Sequence, residues 1–151
     1  MTHTEAVPTE AGTAEPEFGL AVGLVRLAGV VQHVFGEISR EYDLTSQQTQ
    51  LLCMLVNGPV PMATLSRLLH LEKSSLTGLV DRVERRGLVR RQRCAQDRRV
   101  WRVSLTDEGE RLGNDTHRDT IDRLEKLAGD IPANDRDQLT ALIARMVRGT
   151  G

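Results

Sequence analysis

Aromatic side chains are scarce in this sequence: one Trp, one Tyr and two Phe among 151 residues. The core must then be aliphatic, which favours helices packed on helices. Few rings remain to stack on unpaired RNA bases, the usual route to sequence-specific RNA recognition. Cysteine is nearly absent, with Cys53 and Cys94 alone. Two thiols are too few for a disulfide scaffold and suit a reducing cytoplasm. Before Arg26 there are Glu5, Glu10, Glu15 and Glu17 but no Lys or Arg, so the basic start of a secretory signal is missing. The sequence shows no Gly-rich phosphate loop, no H-E-x-x-H and no nucleophile elbow. It therefore offers no catalytic residues, no cofactor motif and no argument for an enzyme. The expectation is one cytoplasmic domain, with or without a protruding helical element.

What is present is a charge imbalance hidden by the net charge of −1. From Arg67 to Arg102 there are eleven basic and four acidic residues, a local excess of +7. The excess runs across a helix, a turn and a strand pair, which is more than one solvated helix face. A basic middle in an otherwise acidic chain is a field aimed at a polyanion. It is densest in "RQRCAQDRRVWRVSLT", where Arg91, Arg93, Arg98, Arg99 and Arg102 share one short ribbon.

Hydrophobic spacing organises the rest. Residues 1–16, rich in Thr, Glu, Ala and Pro, are expected to form a disordered tail. Phe18 to Tyr42 reads as a helix whose first half is apolar on nearly every face, with Arg26 as its single charge up to Val31. Such a helix needs cover on all sides. It reads as too short and interrupted to span a bilayer, so the expected cover is a second copy of the chain. Thr45 and Gln48 form a capping box ahead of Leu51, Leu52 and Leu55, and Asn57-Gly58-Pro59 stops that helix. A short helix from about Met62 to Leu69 and a turn at His70-Leu71-Glu72 lead to a fourth helix. Its Leu76, Leu79, Val80 and Val83 make one apolar face, and Gly87 ends it. Leu88–Arg93 and Val100–Leu105 read as strands around a turn at Ala95-Gln96-Asp97. Thr106 caps a long helix from Asp107 to about Leu127, with acids at the positive end of its dipole. Gly129 and Pro132 separate it from a last helix, about Asp135 to Val147.

A helix-turn-helix followed by a basic hairpin is a winged helix. The fold class expected is mainly α with a small β-wing: a winged helix-turn-helix domain over residues 43–106, flanked by dimerisation helices at 17–42 and 107–148. The segments "LTSQQTQLLCML", "LEKSSLTGLVDRVERRGLVRR" and "DRRVWRVSLTDEG" resemble the MarR family of transcriptional regulators, with similarity over about residues 18–148. The resemblance implies an obligate homodimer binding a pseudo-palindromic double-stranded operator. In that family the recognition helix enters the major groove and a wing arginine enters the minor groove. Many members are repressors released by small phenolic or other lipophilic anions. Carried over by position, Lys73, Ser74, Ser75, Thr77 and Arg82 face the major groove, Asp97 braces the wing, and Arg98 and Arg99 reach the minor groove. Ser and Thr approach base edges without filling the groove, and Arg can bond guanine or phosphate with two prongs. Ser74 also reads as a helix cap, and Arg85, Arg86, Arg90 and Arg91 read equally well as solubilising surface. Ser66 stands where the family often has Ala.

The effector pocket implied by the resemblance lies between the dimerisation helices and the winged-helix lobe, lined by Arg26, His33, Glu37, Gln47, Leu51 and part of the fifth helix. Arg26 reads alternatively as an ion-pair partner across the dimer. Cys53 reads as core. Cys94, between arginines, is a candidate for a lowered pKa and oxidation. Asp115, His117 and Asp119 do not share a helical face, and no zinc spacing is present, so no metal site is expected. The rival reading is a winged-helix dimer acting as a protein-binding or metal-responsive scaffold, which would not need Arg98 and Arg99 together.

Overall fold

The computed structural model describes residues 18–150; the tail expected at 1–16 lies outside them. The chain opens with α1 (Leu20–Glu41) and α2 (Ser46–Leu55). Thr45 Oγ1 accepts the Gln48 N–H while Gln48 Oε1 accepts the Thr45 N–H, both at 3.1 Å. This reciprocal box satisfies two amides that the first turn of α2 would otherwise leave bare. Gly58, at φ +127°, turns the chain after α2 where an L side chain would be strained. Then follow β1 (Val60–Pro61), α3 (Met62–Leu68), α4 (Lys73–Arg85), β2 (Val89–Arg93), β3 (Trp101–Leu105), α5 (Asp107–Leu127) and α6 (Ala133–Arg148).

The sheet is antiparallel in the order β1-β3-β2. Val60 opposes Val103, and Arg91 opposes Val103 from the other side. β1 was not expected: two residues, one of them proline, give no alternation to read. Pro61 is tolerated because β1 is an edge strand. Leu51, Leu52, Leu55, Leu65, Leu76, Leu79, Val80, Val83, Val89 and Val103 are buried in one aliphatic core where α2, α3, α4 and the sheet meet. Each such side chain contributes roughly 1.5–3 kcal/mol by leaving water.

The start of α5 ties this lobe together. The Thr106 hydroxyl accepts the Gly109 N–H (3.1 Å) and donates to the Gly87 carbonyl (2.6 Å), while the Thr106 N–H donates to the Leu88 carbonyl (3.0 Å). Gly109 lets α5 lie against that same carbonyl, because a Cβ there would fall 1.8 Å from the Leu88 oxygen. Small residues continue the contact: Gly113, Thr116 and Thr120 are buried on α5. The two threonine hydroxyls are satisfied by carbonyls of their own helix.

The C-terminal half of α1 packs on α2 and α5, burying Val34, Ile38 and Ser39. Arg123 on α5 holds Glu41 through both carboxylate oxygens at 2.7 Å. Tyr42 donates to Asp119 at 2.5 Å. That bond, then loss of solvent, then the Asp119 charge push the phenol pKa up to about 12. The N-terminal half of α1 is open, with Leu20, Val22, Leu24, Val25, Leu27 and Val30 exposed. On α6 no residue is buried, and Leu139, Leu142, Ile143 and Met146 are exposed. The expectation that α1 is too short to cross a membrane needs correcting: at 22 residues it is long and apolar enough. What argues against a span is its polar C-terminal half, which packs into the lobe through Ser39, Glu37 and Glu41.

Candidate nucleic-acid interface

The inner face of α4 is committed to the core, so its outer face must be presented to solvent. Lys73, Ser74, Ser75, Thr77 and Arg82 all stand exposed there. Thr77 donates its hydroxyl proton to the Lys73 carbonyl at 2.8 Å, leaving its oxygen lone pairs outward. Ser74 does not cap the helix: the N-cap is Glu72, without a side-chain cap bond, and Ser74 sits inside the first turn.

The wing is built from its own polar contacts. Arg93 stacks over Trp101 with 4.7 Å to the ring centroid and donates to the Arg98 carbonyl at 2.9 Å. At the tip Asp97 accepts the Arg99 N–H on its side chain (3.0 Å) and the Val100 N–H on its carbonyl (3.0 Å). These two bonds close the turn at the wing tip. The strands end at Arg93 and Trp101, so the loop spans Cys94 to Val100 rather than three residues, and a bond from Cys94 N–H to the Val100 carbonyl at 2.8 Å closes it. Arg98 and Arg99 are exposed, and neither enters an ion pair among the described residues. Between α3, α4 and the wing lies a cleft of about 860 Å³, whose walls include Met62, Lys73, Thr77, Arg99 and Trp101.

Two arginines of the basic run do something else. Arg86 donates to the Asp43 carbonyl (2.7 Å) and to Gln48 Oε1 (3.3 Å), joining α4 to the entry of α2. Arg91 turns back to α4, pairing with Asp81 and lying 3.8 Å from Glu84. In the sequence neither could be told from solubilising surface, since their partners lie on other elements.

The residues expected to line an effector pocket line neither the cleft beside the wing nor the smaller cavity between α2 and the sheet. Leu51 is fully buried in the core, so it has no surface to offer. Arg26 is exposed and packs over Phe18, 4.8 Å from the ring centroid. His33 lies 3.5 Å from Glu37, which also faces Arg123 at 3.6 Å. Gln47 is exposed on the first turn of α2. Among the described residues no group of three His, Cys, Asp or Glu is placed to hold a metal. Burial pushes the Cys53 thiol pKa up. Cys94 is held below the ordinary thiol value, chiefly by the backbone amide of Asp97 and then that of Gln96. The Arg102 charge also lowers it, by less than either amide.

This geometry has counterparts. Residues 42–100, from Tyr42 through the recognition helix to the wing tip, match the model of the MarR family. Over almost the whole chain the fold resembles the crystal structure of NadR in complex with 4-hydroxyphenylacetate, with a TM-score of 0.75 at 25% identity, covering 89% of this chain and 96% of that one. In sequence over residues 42–100, and in fold over most of its length, the chain resembles the MarR family. A MarR-type relative, the homoprotocatechuate degradative operon repressor of Escherichia coli, is 28% identical over 129 residues, 85% of this chain and 87% of the repressor. In fold alone, MepR of S. aureus in its DNA-binding conformation is also similar, with a TM-score of 0.80 at 18% identity, covering 89% of this chain and all of the other. Within the MarR frame α3 and α4 form the helix-turn-helix and β2–β3 the wing. The helices α1, α5 and α6, and the strand β3, lie wholly outside the family match.

Proposed function

We propose that this protein is a cytoplasmic, homodimeric transcriptional regulator of the MarR family that binds a pseudo-palindromic double-stranded operator and acts as a repressor. One observation carries the reading. The outer face of α4 and the braced wing tip stand together as a free cationic surface, with Lys73, Arg82, Arg98 and Arg99 exposed. Short side chains at Ser74, Ser75 and Thr77 admit base edges, and phosphate contacts from Lys and Arg set the register. The open apolar faces of α1 and α6 support a homodimer, since contiguous exposed apolar surface on this scale marks an interface. Two recognition helices so joined would read half-sites about one helical turn, roughly 34 Å, apart.

Release by a small phenolic or otherwise anionic aromatic effector completes the proposal. It is supported by NadR, whose crystal structure holds 4-hydroxyphenylacetate. Arg26, His33, Glu37 and Gln47 are the polar groups available where the dimer partner would close against the lobe. An effector must favour the DNA-incompetent spacing of the two lobes, or it shifts nothing. Selection of DNA from random pools by the purified protein, followed by anisotropy with and without aromatic carboxylates and phenols, tests both parts. Failure to enrich any sequence would sink the operator reading. Unchanged affinity with every compound would leave a constitutive regulator.

A further inference from the structure

The arginine ribbon divides into members that face outward and one that faces in. Val89 and Leu105, opposite each other at the base of the ribbon, are buried, whereas Gln92, Arg93 and Trp101 further out are exposed. Arg91 sits where burial ends. Its side chain keeps 24% of its surface, the guanidinium pairs with Asp81, and Glu84 lies 3.8 Å away. Its backbone N–H also donates to Glu84 Oε1 at 3.2 Å. Both acids belong to α4, three residues apart on the flank nearest the wing. Arg91 is therefore the last side chain to fasten the ribbon to the recognition helix. Beyond it the strand runs on for about 7 Å to Arg93, at roughly 3.3 Å per residue, before the loop that carries Arg98 and Arg99.

We propose that Arg91, Asp81 and Glu84 form a positioning clamp that sets the angle of the wing against α4 and so aims Arg99 at the minor groove while α4 lies in the major groove. Arg91 touches no DNA in this reading; it acts through Arg99. The ribbon is a lever, and a small rotation at its base moves the tip by ångströms. The clamp also explains why two carboxylates are kept on a surface that must meet phosphates: their charge is spent on Arg91. The inference rests on the DNA-binding reading above.

The sign of one substitution separates this role from a direct phosphate contact. Removing an acid from a DNA-facing surface, and freeing an arginine, should ordinarily strengthen binding. The clamp requires the reverse: Asp81→Asn should weaken operator binding, by about fivefold or more if the coupling is of the usual size for contacting residues. The loss caused by Arg99→Ala should shrink in the Asp81→Asn background, because a misaimed wing has less to lose. Arg91→Met should behave like Asp81→Asn. Circular dichroism and light scattering on each variant establish fold and assembly first. The pair is partly solvated and adds little stability, so the variants are expected to fold; if Asp81→Asn does not, Glu84→Gln gives the same test. Affinity that rises or stays unchanged on Asp81→Asn, or strictly additive losses with Arg99→Ala, overturns the clamp. No operator binding by the unmodified protein would instead overturn the DNA reading.

Discussion

Replacing Gly109 with alanine places a methyl group 1.8 Å from the Leu88 carbonyl oxygen and 2.8 Å from its carbon. Both atoms are backbone, so no flexible side chain can swing aside. The carbonyl is also the acceptor for Thr106 N–H at 3.0 Å, and Thr106 caps α5 through the Gly109 amide itself. Moving α5 out to an ordinary contact distance would stretch these bonds together. Overpacking costs about 1–3 kcal/mol, and a weakened cap or backbone bond about 1 kcal/mol more. Against this, alanine gains about 1 kcal/mol of helix propensity over glycine. The balance is a loss of roughly 1–3 kcal/mol. For a chain of this size that lowers the melting temperature by about 2–12 °C. The assay is thermal unfolding followed by circular dichroism, at one fixed protein concentration because assembly shifts the midpoint. Gly36→Ala is the internal control. Its new methyl meets only the tip of Arg40 at 3.7 Å, so it should leave the midpoint unchanged or raise it. A Gly109→Ala protein melting at or above the unmodified one would refute the close-approach argument.

Three further outcomes are expected. Arg99→Ala should weaken operator binding about tenfold or more while circular dichroism stays the same; binding unaltered in anisotropy would show that the wing tip is not inserted. Light scattering at micromolar concentration should give twice the 16.8 kDa chain mass, and a stable monomer of that mass would remove the dimer from the proposal. Tyr42 is the only tyrosine, so near-ultraviolet titration reads it alone. Its folded pKa of about 12 lies above the ordinary value of 10, so its contribution to stability is fully present below pH 10 and is lost as pH rises from about 10 to 12. Tyr42→Phe should lack that part of the alkaline decline, and an ordinary phenol titration near pH 10 in the folded protein would count against the Asp119 bond.

Local signals were the legible ones. The Thr45–Gln48 box and the Thr106 cap are written within four residues of each other, and both form. The α5 boundaries fall at Asp107 and Leu127, where the cap and the breakers place them. What stayed hidden depends on partners distant in the chain. Arg86 meets Asp43 and Gln48, and Arg91 meets the α4 acids, yet in sequence both are simply members of a basic run. The strand β1 pairs across the sheet with Val103 and Arg102, and nothing in two residues announces it. Gly109 could be recognised in the L-T-x-x-G pattern, but the carbonyl it approaches could not. The proposed effector residues were the least legible for the same reason: a pocket shared between helices and a second copy would leave no periodicity in one chain.

The Thr106 knot has a mechanical consequence. One hydroxyl links the carbonyl that ends the recognition-helix turn to the amide that begins α5, and Gly109 seats that helix on the backbone entering the wing. The first joint runs through Thr106, a β-branched side chain stiff about χ1, and the second is backbone against backbone. Helix, wing and the stem of α5 therefore turn as one rigid piece, with α5 as its shaft. Whatever reaches the far end of that shaft, whether a second copy or a small molecule, is transmitted as rotation of the entire reading head rather than as bending within it. Spin labels placed on α4 and on the first turns of α5 should keep a constant separation under conditions that change the distance between the two α4 helices of a dimer.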